Sequence, residues 1–156
     1  MALAVALTAG CSSTGNTDTY SASGVRAAYR ELERLTEARD MAVMDLYHPD
    51  YLDNGWTFID VQDDFVQFFR DYRDIDEHFN ILDISLVNGL AYVTFENWFQ
   101  ARGAYDGVLY VSDVETYGAV WKYEYGDWYL YGNQRSSAAL KNGTLLHFKR
   151  ERRPVK

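Results

Sequence analysis

Between positions 25 and 47, apolar residues recur at Val25, Ala28, Tyr29, Leu32, Leu35, Ala38, Ala42 and Leu46, with Arg and Glu between them. Spacing of three and four places them on one face of an amphipathic helix, or of two helices in tandem with a joint at 36–40. His48-Pro49 ends the run, because proline disfavours helical geometry in the residue before it. A second helix is predicted from Asp60. Asp63 and Asp64 add charge that suits a helix N-terminus, and Phe65, Val66, Phe68, Phe69 and Tyr72 supply an aromatic core face.

The remainder reads as strand. Segments 79–87 and 90–100 flank Asn88-Gly89, a strong hairpin signal whose type I′ turn needs positive φ at both central residues. Segments 117–125 and 128–131 flank Gly126-Asp127, for which glycine in first place suggests a type II′ turn. Two-residue loops fix the register. In the first hairpin Leu86 then opposes Ala91, Ile84 opposes Val93, Leu82 opposes Phe95, Asn80 opposes Asn97 and His78 opposes Phe99. In the second, Tyr125 opposes Trp128, and Tyr117, Ala119, Trp121, Tyr123 and Leu130 share a face with Asp113, Glu115 and Gln134.

Polar side chains therefore fall on apolar faces at His78, Asn80, Asn97, Asp113, Glu115 and Gln134. An unpartnered buried polar group costs about 1–3 kcal/mol, so such a cluster needs mutual hydrogen bonds, water or a ligand. Polar groups set among aromatics are how ligand pockets are built, with Tyr29 and Trp121 as aromatic lining. The competing reading is that the strands end or bulge before these residues, which then face solvent.

Composition narrows the class. With 156 residues, 47% of them hydrophobic, the chain suits a single domain, and no apolar run approaches the roughly 20 residues that span a bilayer. Of 25 aromatic residues 21 lie between positions 51 and 131, which locates the core. The net charge of −8 argues against nucleic acid as a partner. It divides unevenly: 141–156 holds six basic residues and one acidic, leaving the body at −13. This basic tail is expected to be solvated or to touch anionic lipid or the acidic body. A single cysteine excludes an internal disulfide and a cysteine-based zinc site. His48, His78 and His147 lack metal-ligand spacing, and no phosphate loop or Gly-X-Ser-X-Gly elbow occurs, so neither a metal nor a cofactor is expected.

Residues 1–10 (MALAVALTAG) form an apolar stretch of small residues that ends at Cys11. Leu7-Thr8-Ala9-Gly10-Cys11 resembles a bacterial lipoprotein cleavage site, in which the cysteine receives diacylglycerol and becomes the new N-terminus. The resemblance implies an exported protein anchored to the cell envelope. Ser12 and Ser13 imply the outer membrane, facing the periplasm, if the organism has two membranes. The lack of Lys or Arg before the apolar run leads to the expectation of a start codon further upstream. The chain is thus read as a leader remnant (1–10), a lipidated cysteine and flexible tether (11–24), a folded domain (25–137) and a basic tail (138–156).

Four segments carry a second likeness: LTEARDMAVMDLYHPDY (35–51), DVQDDFVQFF (60–69), ISLVNGLAYVTF (84–95) and VWKYEYGDWYLYGNQRS (120–136). Their order and spacing resemble the nuclear transport factor 2-like (NTF2-like) superfamily, its SnoaL-like and DUF4440 branches above all. The resemblance implies an α+β cone, in which N-terminal helices pack on a strongly curved antiparallel sheet around an interior pocket. It also implies a choice of functions, since members include isomerases, cyclases and dehydratases of small apolar molecules. Enzymes of this family that move a proton beside a carbonyl use an Asp base on the first strand after the helices and a Tyr or protonated Asp as oxyanion donor. Asp53 and Asn54 fall near that base position. The closing polar position, often His in the family, is Gln134, whose amide does not titrate usefully.

Three functions follow as expectations. The first is a tethered module binding a small apolar or aromatic ligand, oriented by Asn80, Asn97 and Gln134. The second is an isomerase or dehydratase using a buried carboxylate, with Asp53, Asp113 or Glu115 as general acid or base. The third is an envelope assembly role, with a homodimer or partner contact through the outer aromatics of the sheet.

Overall fold

Ser21 opens the first helix by accepting a hydrogen bond from the Gly24 N–H at 3.1 Å. In this computed structural model, which describes residues 20–136 and the backbone of 153–154, helix α1 spans Ala22–Glu37. Cys11, most of the tether and the side chains of the basic tail lie outside the described residues. Val25, Tyr29, Leu32, Leu35 and Thr36 form the buried stripe of α1. The joint comes at 38–40, where Arg39 takes φ 55°, and a 3₁₀ helix follows over Met41–Leu46, capped by Asp40 on the Ala42 N–H. Strands β1 (Leu52–Asp53) and β2 (Trp56–Thr57) make a small hairpin. Helix α2 spans Phe58–Asp71 and starts earlier than its acids suggest, because Thr57 is the N-cap and closes a reciprocal capping box with Asp60.

The main sheet contains β3 (Tyr72–Val87), β4 (Leu90–Gly103), β5 (Leu109–Val111), β6 (Glu115–Glu124), β7 (Asp127–Leu130) and β8 (Arg153–Pro154). Strand β4 pairs with β3 along one edge, and its other edge is shared by β6 and β5. Strand β7 flanks β6, and the two residues of β8 flank β5. An edge divided between two partners and two bulges in β3 bend the sheet strongly. Its concave face closes over α1 and the 3₁₀ helix. This is the α+β cone of helices on a curled antiparallel sheet, as expected.

The first hairpin turns on Asn88-Gly89 with φ 48° and 80°, and pairs as predicted from Val87–Leu90 to Ile84–Val93. Beyond Asp83–Thr94 the register slips: Ile81 opposes Phe95, and Leu82 is the extra residue of a bulge. The positions of β3 from Ile75 to Ile81 therefore change face, and the second bulge, between Arg73 and Asp76, restores the original parity at Tyr72. Leu82 is 50% exposed, Ile75, Glu77, Phe79 and Ile81 turn inward, and His78 and Asn80 turn outward.

The second hairpin also departs in its turn. Its loop is Tyr125-Gly126, with φ 52° and 95°, which makes it type I′ rather than type II′. Tyr123 pairs with Trp128 and Trp121 with Leu130. The slip of two positions preserves parity, so the inward face keeps Ala119, Trp121, Tyr123 and Leu130. Its benefit is aromatic: Tyr123 and Trp128 meet across the strands at 5.2 Å, and Tyr20 covers both at 5.2 and 5.5 Å.

Candidate functional site

The bulge at Leu82 delivers a carboxyl to the interior. Glu77 is 2% exposed and Asn97, on β4, is 3% exposed. The Asn97 amide donates to Glu77 Oε1 at 2.5 Å and to the His78 carbonyl at 3.1 Å. Helix α1 serves the same stretch of backbone: Glu33 accepts from the Phe79 N–H at 2.7 Å and Glu37 from the Glu77 N–H at 3.4 Å. These carboxylates occupy amides on the free side of an edge strand, which would otherwise invite pairing. Burial raises the Glu37 pKa above its ordinary value.

Three phenols share the interior with that pair. Tyr29 comes from α1, Tyr47 from the end of the 3₁₀ helix and Tyr51 from the turn before β1, and all three are buried. Burial raises each well above the ordinary tyrosine pKa, and the negative charge of Glu77 adds to the effect on Tyr47. The Tyr29 ring packs against Phe79, Phe95 and Trp121 at 5.0–5.3 Å. The Trp121 indole N–H offsets part of the Tyr29 shift but does not reach it in hydrogen-bond geometry. The Tyr29 hydroxyl, the Trp121 N–H and the Thr36 hydroxyl are fully buried and have no hydrogen-bond partner among the described residues. The interior thus holds two hydrogen-bonding groups without partners in an aromatic wall, and a buried carboxyl–amide pair.

The site residues expected from the sequence divide. Tyr29, Asn97 and Trp121 are in the interior. His78 and Asn80 are not, because the bulge reverses their face; His78 is 55% exposed beside Glu33, and Asn80 donates to Glu96 on the outside. Glu115 pairs with Asn97 across β6 and β4 but is not inward as expected; it lies at the exposed start of β6, where it accepts from the Tyr117 hydroxyl at 2.7 Å. Asp113 is exposed in the loop before that strand. Gln134 is exposed because β7 ends at Leu130 and Gly132, at φ 77°, breaks the alternation that would have carried it inward. Its amide instead donates to the Tyr131 and Asp50 carbonyls. Asp53 is half-buried and holds the outgoing chain, accepting from the Asn133 N–H at 3.0 Å and the Asn54 amide at 3.2 Å. Burial raises its pKa.

Glu77 is the interior residue that pattern reading misses, although its signal is in the sequence. Ile75, Phe79 and Ile81 alternate at odd positions, whereas Ile84 and Leu86 alternate at even ones, and a change of parity inside one strand requires a bulge between them. Among the described residues no group of three or more His, Cys, Asp or Glu is placed to hold a metal ion. None of their helices is long and apolar enough to cross a membrane.

No family model matches the chain, and no curated protein matches it. Solved structures do. An NTF2-like superfamily protein from Salmonella enterica aligns with a TM-score of 0.61 at 10% identity, covering 70% of this chain and 85% of that one. A candidate scytalone dehydratase from Novosphingobium aromaticivorans aligns at 0.61 and 12% identity, covering 69% and 77%. A ketosteroid isomerase-like protein from Erwinia carotovora atroseptica aligns at 0.59 and 14% identity, covering 76% and 94%. Identities this low speak to fold and not to activity. With its helices leading into a bulged, curled antiparallel sheet, the chain has the NTF2-like fold.

Proposed function

We propose that the chain is an exported, lipid-anchored NTF2-like domain that holds a small apolar or aromatic molecule inside its cone. The observation that carries the ligand is the pair of buried groups without partners, the Tyr29 hydroxyl and the Trp121 indole N–H, in one aromatic wall. Each costs about 1–3 kcal/mol while unengaged, and the indole N–H can only donate. A carbonyl or hydroxyl oxygen on the ligand satisfies both, with its ring against Phe79 and Phe95. The Glu77–Asn97 pair faces a second polar group or water. Access is assigned to the seam between α1 and β7, where a cleft of about 450 Å³ is lined by Gly24, Ala27, Ala28, Leu46 and Trp128 and rimmed by Glu31, Asp45 and Asp127.

The test compares 1-indanone with indane, which lacks the oxygen, by NMR titration of the folded chain. The ketone binds about tenfold more tightly, the worth of one net hydrogen bond. In Trp121→Phe the difference disappears. Equal affinities in the parent chain contradict the reading.

Anchoring rests on Cys11 and the leader-like segment before it; eight residues separate Cys11 from Tyr20, which is fixed against Trp128. Mass spectrometry of the membrane fraction of its own host is expected to find diacylglycerol on Cys11. An unmodified cysteine behind an uncleaved leader contradicts it. One observation favours a second reading, an isomerase or dehydratase. Glu77 is a buried carboxyl in the same interior as two potential oxyanion donors, which is the equipment for shifting a proton beside a carbonyl. Deuterium exchange at the α-carbon of bound 1-indanone, lost in Glu77→Gln, is its signature.

A further inference from the structure

Among the described residues the chain builds the same type I′ turn three times, with very different residues. At Asn54-Gly55 and at Asn88-Gly89 the first position is asparagine, which tolerates positive φ. At Tyr125-Gly126 a tyrosine takes φ 52°, a strained conformation for a bulky side chain, and it is 92% exposed. Neither turn chemistry nor core packing accounts for a tyrosine there.

Tyr125 borders a cleft of about 420 Å³ that lies outside the cone, with Pro49 and Tyr129 as its other apolar walls. The polar groups of this cleft are ordered. The Asp50 N–H donates to His48 Nδ1 at 3.0 Å, so the ring proton is on Nε2, which donates to Glu124 Oε2 at 2.8 Å. Lys122 Nζ lies 3.0 Å from Glu124 Oε1 and rests over the Tyr131 ring at 5.2 Å. It is also 3.2 Å from His48 Nε2, but two donors cannot bond each other, so Glu124 is what holds both. The His48 ring is itself fixed edge-on against Tyr131 at 5.1 Å.

These groups narrow the ligand. Lys122 disfavours a cation, and Asp50 with Glu124 disfavours an anion. An aromatic wall beside interleaved donors and acceptors suits a neutral molecule with an apolar face and many hydroxyls. We infer that this cleft is a carbohydrate-binding site, in which Tyr125 stacks on a neutral sugar ring while Lys122, Asp50 and Glu124 bond its hydroxyls. The site is separate from the cone and stands whether or not the cone takes a ligand.

The experiment titrates the folded chain with maltotriose, cellotriose and chitotriose by NMR, with trigalacturonate and choline as charged comparators. At least one neutral trisaccharide shifts the Tyr125 and Tyr129 resonances, and neither charged probe binds as well. Tyr125→Asn weakens binding tenfold or more while raising the thermal midpoint by about 2–4 °C, because asparagine relieves the turn. Lys122→Gln weakens binding without that gain, and Trp121→Phe leaves it unchanged, which separates this cleft from the cone. The inference is overturned if no neutral trisaccharide shifts those resonances, if a charged probe binds better, or if Tyr125→Asn binds as tightly as the parent.

Discussion

Gly132 shows how much a single backbone position carries. It takes φ 77° after β7 and passes so close to β1 that a Cβ there would overlap the Leu52 carbonyl. That approach lets the Gln134 N–H donate to the Leu52 carbonyl at 2.9 Å, and it brings the Asn133 N–H to Asp53. Gly132→Ala combines left-handed strain with a backbone clash, so it is expected to cost about 2 kcal/mol or more in urea unfolding. Glu77 gives a second test at this scale. Glu77→Leu removes the acceptor of the buried Asn97 amide and is expected to lose about 1–3 kcal/mol. Glu77→Gln keeps an acceptor oxygen and a nearly identical shape, and is expected to lose much less.

At the scale of the element, one extra residue in β3 decides which side chains belong to the site. Strict alternation from the Asn88-Gly89 turn puts Leu82, Asn80 and His78 inside; the bulge puts Ile81, Phe79 and Glu77 there instead. The two arrangements are separable by substitution. Leu82→Asp is expected to change stability by no more than about 0.5 kcal/mol, as for an exposed site, whereas Phe79→Asp is expected to unfold the domain. Unfolding by Leu82→Asp would restore the unbulged register. The same comparison marks what could be read from the chain beforehand. The helices, the parity of the second hairpin, that of the first as far as Asp83, and the inward places of Tyr29, Asn97 and Trp121 follow from local spacing, because they need only the period of each element. Glu77 and the outward turn of His78 and Asn80 depend on a slip that alternation counted from one turn cannot see. Gln134 departs from its expected face for a related reason, since β7 ends at Leu130 and Gly132 breaks the alternation beyond it.

For the whole molecule, burying phenols in the cone ties stability to pH. The pKa values of Tyr29, Tyr47 and Tyr51 are raised in the folded state, so above the ordinary value of 10.0 the unfolded chain loses protons that the folded chain retains. The associated stability is complete below pH 10 and falls as pH rises beyond it. A spectrophotometric titration at 295 nm is expected to show at least these three tyrosines ionising only together with alkaline unfolding. The same enclosed interior holds the two groups without partners on which the function rests, and the most direct measurement asks what engages them. Native mass spectrometry of the full chain, purified gently from its own host, should show a bound small molecule in the wild type that is lost or much reduced in Trp121→Phe. A wild-type chain that carries nothing, identical in this respect to the variant, would contradict the account.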